Sequence, residues 1–470
     1  LFAAIGYTAE TIGDLDLRIN YSENENRFPG GLIFETFQQN HRSSSNLRDQ
    51  GTATEAVTTT ARFHGSHDTL TWEALLGVDA TETNWTFGSG SFGQNNQRGL
   101  SLKPRGRFQS DTWTAVAGFD VLHDQLDFER FLDEAKTLRP AEAELEETRI
   151  SPYFLIEKEL TARISVSGGA RYEQVFFQAD AIRYERDQLS PFIQTDFGPF
   201  SNPDFKNPPD IEQQVNVNKR EQGAAAELSV NFKINETTSL WAGYDRVYRY
   251  PVFDERAAYQ GFPLAEDVNL ALEAEEGNNF EIGLKHLKGR HAFFMTAFLL
   301  RMENEIIFDP NAEGSNSFST GLNINLGPVE RRGVDAAYEY KGNRWGASTR
   351  LALVDTEIQS GEGRGQEVPL VPNIHTSSQL WLTPVEALRL SLTHRYVGGR
   401  QQGGDFTNTL RTLNSYHVVD VGIDAQITPH FRVFAAIDNA FDTLYAEGAF
   451  LGAYYPGNGR SFTVGAHLKF

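Results

Sequence analysis

The last stretch of the chain, Arg460–Phe470 (RSFTVGAHLKF), alternates strictly with a period of two. Phe462, Val464, Ala466, Leu468 and Phe470 share one face of a strand. Ser461, Thr463, Gly465, His467 and Lys469 share the other. A globular domain rarely finishes on such a strand, because termini fray. A membrane-spanning barrel requires one, since every backbone N–H and C=O in lipid must find a partner inside a closed sheet. The same alternation recurs along the sequence. Ala226, Leu228, Val230, Phe232 and Ile234 oppose Glu227, Ser229, Asn231 and Lys233. Val334, Ala336, Tyr338 and Tyr340 oppose Asp335, Ala337, Glu339 and Lys341. Leu388, Leu390 and Leu392 oppose Arg389, Ser391 and Thr393. Val419, Val421, Ile423, Ala425 and Ile427 oppose Asp420, Gly422, Asp424 and Gln426. One face of each suits lipid, and the other needs water, as a wide lumen supplies.

Composition removes competing classes. No apolar run reaches the roughly 18 residues of a transmembrane helix. The mean hydropathy of −0.43 is what alternating strands produce. With no Cys in 470 residues, disulfides, iron–sulfur clusters and thiol catalysis are excluded. A net charge of −21 argues against nucleic acid. No HExxH, G-x-S-x-G or P-loop pattern occurs, and the 11 His are scattered, so neither a metal site nor an enzyme is expected.

The connections alternate in length. Tight turns are expected near His67-Asp68, Ser110-Asp111, Lys158-Glu159, Asn235-Glu236, Lys288-Gly289, Gly342-Asn343, Pro384-Val385 and Pro429-His430. Longer irregular segments are expected at 22–52, 86–97, 125–147, 178–222, 249–277, 309–320, 360–370, 400–415 and 446–459, with a short helix within Arg130–Glu147. Short turns on one rim and long loops on the other are the outer-membrane pattern. The expected fold is all-β: one antiparallel transmembrane β-barrel over 1–470, with ~19–20 strands present and 22 when complete.

Four patches, in order, resemble the TonB-dependent receptors of the Gram-negative outer membrane. The first is Tyr248–Glu255 (YRYPVFDE), followed by Asn269–Glu275 and Phe280–Lys285 (FEIGLK). The second is Asn325–Val334 (NLGPVERRGV), with Asp335 where the family carries Glu. The third is Val368–Trp381. The fourth joins Asn439–Tyr445 (NAFDTLY) to Pro456–Phe462 (PGNGRSF). Phe28–Leu32 (FPGGL) is similar to a loop of the ferric-citrate-receptor-like branch. Thr463, Gly465, Leu468 and Phe470 fit the closing-strand signal read by the barrel assembly machinery. The resemblance implies an active transporter that binds a scarce solute, most often a ferric siderophore, and imports it with TonB-coupled energy. It implies no catalytic residue and no cofactor. Its partners would be the lipid bilayer, lipopolysaccharide, the TonB complex, the assembly machinery and a small-molecule ligand. No stretch resembles the family's plug domain. The plug and at least one closing strand are therefore expected upstream of Leu1, and a chain without them would leak passively. A passive porin and a partner-binding adhesin are the alternatives.

Ligand candidates lie in the long loops: Tyr248, Arg249 and Tyr250, then Arg400, Gln401 and Gln402, then Tyr454 and Tyr455. Arg makes charge-assisted bonds to an anionic chelate, and Tyr offers a flat amphipathic contact. The competing reading is an aromatic girdle at the outer interface. Asn439–Tyr445 is expected to set a bend, Arg460 to pair with acids or carbonyls, and Glu281, Asp335 and Asp420 to face the lumen.

Overall fold

The computed structural model describes residues 2–9, 13–28, 30–40, 42–43, 50–87, 91–184, 192–195, 198–201, 211–257, 269, 271–313 and 320–469. Phe470, the end of the expected assembly signal, lies outside them. The strands of the first part are β1 (Phe2–Ala9), β2 (Gly13–Arg27), β3 (Gly51–His67), β4 (Leu70–Phe87), β5 (Ser91–Gln109), β6 (Trp113–Phe131), β7 (Ala141–Glu159) and β8 (Ile164–Tyr184). A loop hairpin, β9 (Phe192–Thr195) and β10 (Gly198–Ser201), precedes β11 (Ile211–Asn235) and β12 (Thr238–Arg249). Then come β13 (Glu275–Lys288), β14 (His291–Glu303), the loop hairpin β15 (Ile306–Glu313) and β16 (Thr320–Asn325), β17 (Val329–Lys341) and β18 (Trp345–Ile358). The chain continues through β19 (Ile374–Val385), β20 (Leu388–Val397), β21 (Tyr416–Thr428) and β22 (Phe431–Asp438). It finishes with the loop hairpin β23 (Ala446–Phe450) and β24 (Ala453–Pro456), and β25 (Ser461–Leu468). Two short helices, α1 (Phe34–Gln39) and α2 (Phe253–Ala257), sit in long loops.

Leaving out the three loop hairpins, 19 strands form one antiparallel sheet, each paired with the next in sequence. The register confirms the sequence pattern. Glu227 pairs with Asp245 on one face while Leu228 pairs with Tyr244 on the other. The apolar face looks outward: Val464 is 82% exposed, and Leu228, Ile282, Ile423 and Phe462 are also open. In water such a belt would be untenable, whereas in a bilayer it is the lipid contact. An odd-numbered antiparallel meander leaves β1 and β25 pointing the same way, so they cannot pair antiparallel. Among the described residues β1 pairs with β2 alone, and β25 with β22 alone.

Two expectations need correction. Much of 86–97 and 125–147 is strand: β4 runs to Phe87, β5 starts at Ser91, β6 runs to Phe131 and β7 starts at Ala141, so the loop within 125–147 is confined to 132–140, and no helix lies between Arg130 and Glu147. The turn expected at Lys158-Glu159 falls later, because β7 runs through Glu159. The physical reason is an inversion of pattern above the lipid band. On the lower part of β7, Ile150, Phe154 and Ile156 face out. On its upper part, Glu142, Glu144 and Glu146 take that face, and Ala141, Ala143 and Leu145 are buried inside. Outside there is water, inside there is packed protein, and the strand continues through both.

That interior packing is a core of Trp85, Leu126, Phe128, Leu145, Phe177 and small residues, with Phe253 of α2 laid upon it. Trp85 stacks on Phe128 at 6.4 Å, and its indole N–H donates to Asn95 Oδ1 at 3.2 Å.

Candidate functional site

The long-loop rim is held by backbone-satisfying side chains. Asn439 adopts φ +47°, a left-handed conformation tolerated by Asn. Its Nδ2 donates to the carbonyls of Thr443 and Asn458, each at 3.0 Å, and its Oδ1 accepts from Thr443 N–H at 2.8 Å. The Asn439 N–H donates to Asp420 Oδ1. Asp442 accepts from Arg460 N–H at 2.8 Å and from Arg42 Nη2 at 2.7 Å. Those two contacts hold its carboxyl below the usual carboxylate range. Arg460 also reaches the Ala440 carbonyl. The bend expected at Asn439–Tyr445 is thus a hydrogen-bonded knot.

The knot joins loops from both ends of the sheet. Leu32 and Tyr454 exchange two backbone hydrogen bonds of 2.7 Å, and Phe37 stacks on Tyr454 at 5.3 Å. Leu32, Phe37, Leu413, Ala446, Ala449 and Tyr454 bury one another. The loop after β2 is therefore fixed to the loop before β25, on the long-loop side of β1 and β25.

The candidate ligand residues divide by burial. Arg400 is only 4% exposed, and its Nη2 donates to the carbonyls of Ala446 and Glu447 at 2.9 and 2.6 Å. Burial pushes its guanidinium pKa down, against the opposing influence of Tyr416. Gln402 bridges Arg411 O and Gly452 N–H. Tyr454 lies within the apolar cluster. These three brace the loops. Gln401 bonds Glu367 at the margin, and Tyr455 remains open, with its ring edge-on to Phe450.

The second patch is separate: among the described residues no hydrogen bond or ion pair joins it to the first. Arg249 is clamped by Glu275 at 2.7 Å and Glu255 at 2.8 Å. Tyr248 and Tyr250 meet edge to face at 5.4 Å. Tyr250 is buried, which raises its phenol pKa. Sequence reasoning missed Arg256. Its side chain is fully enclosed, with Nη2 on Glu221 at 2.7 Å and its guanidinium 4.7 Å from the Phe177 ring centroid. Nothing local marks an Arg in a five-residue helix as buried.

The motif asparagines and glutamates are loop staples. Asn269 donates to Asn323 O at 2.7 Å, and Asn323 to Glu255 O at 3.1 Å. Asn325 accepts from Glu273 N–H and donates to Glu273 O. Asn408 and Glu367 exchange a similar pair. Each satisfies backbone groups that an irregular loop would otherwise leave unpaired.

Below this rim, the inner face of β17–β20 forms a groove of about 600 Å³. Asp335, Arg350, His375, Ser377, Gln379 and Thr393 line it. Glu281 and Asp420 also lie on the inward face, opposite Gly243 and Thr393.

A family model described as TonB dependent receptor-like, beta-barrel matches residues 5–440. The fold is similar to that of the ferric yersiniabactin uptake receptor FyuA from Yersinia pestis, with TM-score 0.78 and 15% identity over 100% of this chain and 70% of that one. The ferric citrate transporter FecA in its unliganded form gives TM-score 0.76 and 13% identity over 99% and 69%. The siderophore receptor PiuA from Acinetobacter baumannii gives 0.73 and 14% over 100% and 74%. At these identities the likeness is one of fold.

Proposed function

This chain belongs to the TonB-dependent receptor family of outer-membrane β-barrels, which are receptors and transporters rather than enzymes, and from that premise we propose that it captures a ferric siderophore at its long loops and imports it with TonB-coupled energy. The observation that carries the reading is the braced rim. Arg400, Gln402, Tyr454 and Asn439 fix several distant loops into one surface above a polar-lined barrel, so a ligand would meet preorganised groups and lose less ordering free energy. Gln401 and Tyr455 are the ligand-facing members of the first patch, and Tyr248, Arg249 and Tyr250 support the second. In the same reading, a plug and the strands that complete the barrel come from outside residues 1–470, lipopolysaccharide meets the outer belt, and the assembly machinery reads Thr463, Gly465, Leu468 and Phe470.

The test is iron uptake by starved cells given catecholate, hydroxamate or hydroxycarboxylate iron chelates, with and without this protein and with and without TonB. Uptake of one class should vanish when either is removed. Equal uptake of all three in cells lacking the protein would sink the siderophore reading. Loss that depends on the protein but not on TonB would identify a passive channel.

A further inference from the structure

Several histidines of the sheet hydrogen-bond to a different residue type. His64 meets Asp16, His123 meets Thr148, His286 meets Thr238 and His291 meets Tyr338. One pair differs. His394 Nε2 and His417 Nδ1 lie 3.0 Å apart, and among the described residues this is the one hydrogen bond that joins two imidazoles. The ring centroids are 5.2 Å apart and the planes differ by 20°, so the two nitrogens lie between the rings, which meet edge to edge.

Strand register builds the pair. His394 lies opposite Val419, and Tyr396 opposite His417, so the histidines are diagonal neighbours on β20 and β21. They share a face with Leu392 and Ile423, which are exposed on the lipid side, so they stand outside the barrel. They also stand at its upper margin: β20 ends at Val397, and β21 begins at Tyr416. The pair therefore sits where the apolar belt gives way to water, at the two feet of the loop 398–415. The Tyr396 ring packs against that of His417 at 4.6 Å. His417 is exposed, and the neighbours opposite His394, Val419 and Ser378, are short.

Two imidazole nitrogens at this separation hold either a proton or a metal ion between them. With metal–nitrogen bonds of about 2.1 Å, adjacent ligands of a square or octahedral ion stand about 3.0 Å apart, whereas a tetrahedron needs about 3.4 Å. We propose that His394 and His417 form an outward-facing site for a divalent transition-metal ion of square or octahedral preference, with Cu²⁺ held most tightly. Converging on one ion takes a turn of each ring from its edge-to-edge position, which the exposed His417 is placed to make. Among the described residues no third His, Asp or Glu joins the two, so water completes the coordination and the ion exchanges. The chain's net charge of −21 favours cations near its surface. A bound ion would tie together the feet of the loop that carries Arg400 and Gln402. No metal-ligand spacing shows in the sequence, because the two ligands stand 23 residues apart and meet only through strand pairing.

The test titrates the full chain, in detergent micelles, with Cu²⁺–iminodiacetate. This chelate satisfies part of the copper shell and leaves positions for imidazole, so surface carboxylates compete poorly. Electron paramagnetic resonance then counts the imidazoles on each copper. The expected result is one copper per chain carrying two imidazoles. His394→Gln and His417→Gln should each weaken binding by about a hundredfold, because the second imidazole binds within a complex already formed. Each should leave copper with a single imidazole. His430→Gln, in the turn on the opposite rim, should change nothing. Copper with one imidazole in the unsubstituted chain would overturn the assignment, as would a two-imidazole signal that survives either substitution. A second measurement leaves both histidines intact. The chain has no native Cys, so nitroxides placed singly at Leu410→Cys and Asp111→Cys give copper–nitroxide distances that locate the ion. Distances that do not fit a site between 394 and 417 would remove it. The readout depends neither on the chelate that cells import nor on TonB, so its failure and that of the uptake experiment are separate.

Discussion

The β3–β11 wall and the β12–β25 sector solve the same problem in different ways. Strands β3 to β8 run 17 to 21 residues and β11 runs 25, roughly twice the 9–11 residues a bilayer crossing needs. Strands β12 to β14 and β17 to β22 run 8 to 14. The tall wall keeps its ladder beyond the lipid and buries an apolar core on its inner face. The short sector leaves the ladder at the membrane surface and stabilises the remaining chain with side-chain staples. Regular pairing satisfies backbone groups wherever it continues. Once it stops, each N–H and C=O needs a specific partner. The long loops thus depend on a few buried asparagines and glutamines, whereas the tall wall depends on packing.

The outer surfaces differ as well. On the tall side, Glu23, Glu55, Glu82, Asn96, Asp127, Glu144 and Asp180 lie opposite one another in a single cross-strand row. On the short side, opposite charges meet: Arg246 with Glu276, Arg301 with Glu330, and Arg332 with Asp355.

The contrast can be broken at three levels. Phe177→Ala should act most strongly, lowering stability by about 3–5 kcal/mol, since it opens the inner core and strips the ring from beneath Arg256. Denaturant unfolding of refolded protein measures this, and a loss similar to that of the lipid-facing Val464→Ala would show that the tall wall has no real core. Next, Asn439→Ala should cost about 1–3 kcal/mol by leaving buried carbonyls unsatisfied. Proteolysis should then release the loop before β25 while the sheet survives, and an unchanged cleavage pattern would remove the knot from the account. The smallest effect is one of sign. Glu82→Gln should stabilise by about 0.2–1 kcal/mol by relieving like-charge neighbours. Glu330→Gln, which breaks the pair with Arg301, should destabilise by about as much. The same sign for both in low salt would erase the distinction between the two surfaces.

Legibility followed the solvent. Leu388, Leu390 and Leu392 announce a lipid-facing strand because hydrocarbon on one side and water on the other force alternation. The upper part of β7 does not, because both its faces change partner above the membrane. Hence the loop expected over 125–147 shrinks to 132–140. At the rim, Asn439–Tyr445 was legible as a structural bend. The roles of Arg400, Gln402 and Tyr454 were not, since their burial depends on chain brought from around residue 32 and residue 450. The burial of Arg256 was illegible for the same reason.

The sequence by itself determined the membrane-facing sheet, the alternating rims and the family, because lipid contact and backbone pairing act through local period and short motifs. Only the tertiary structure decided which charges are paired and which loops brace one another. Those outcomes depend on strands and loops far apart in the chain, and no local pattern encodes the distance between them.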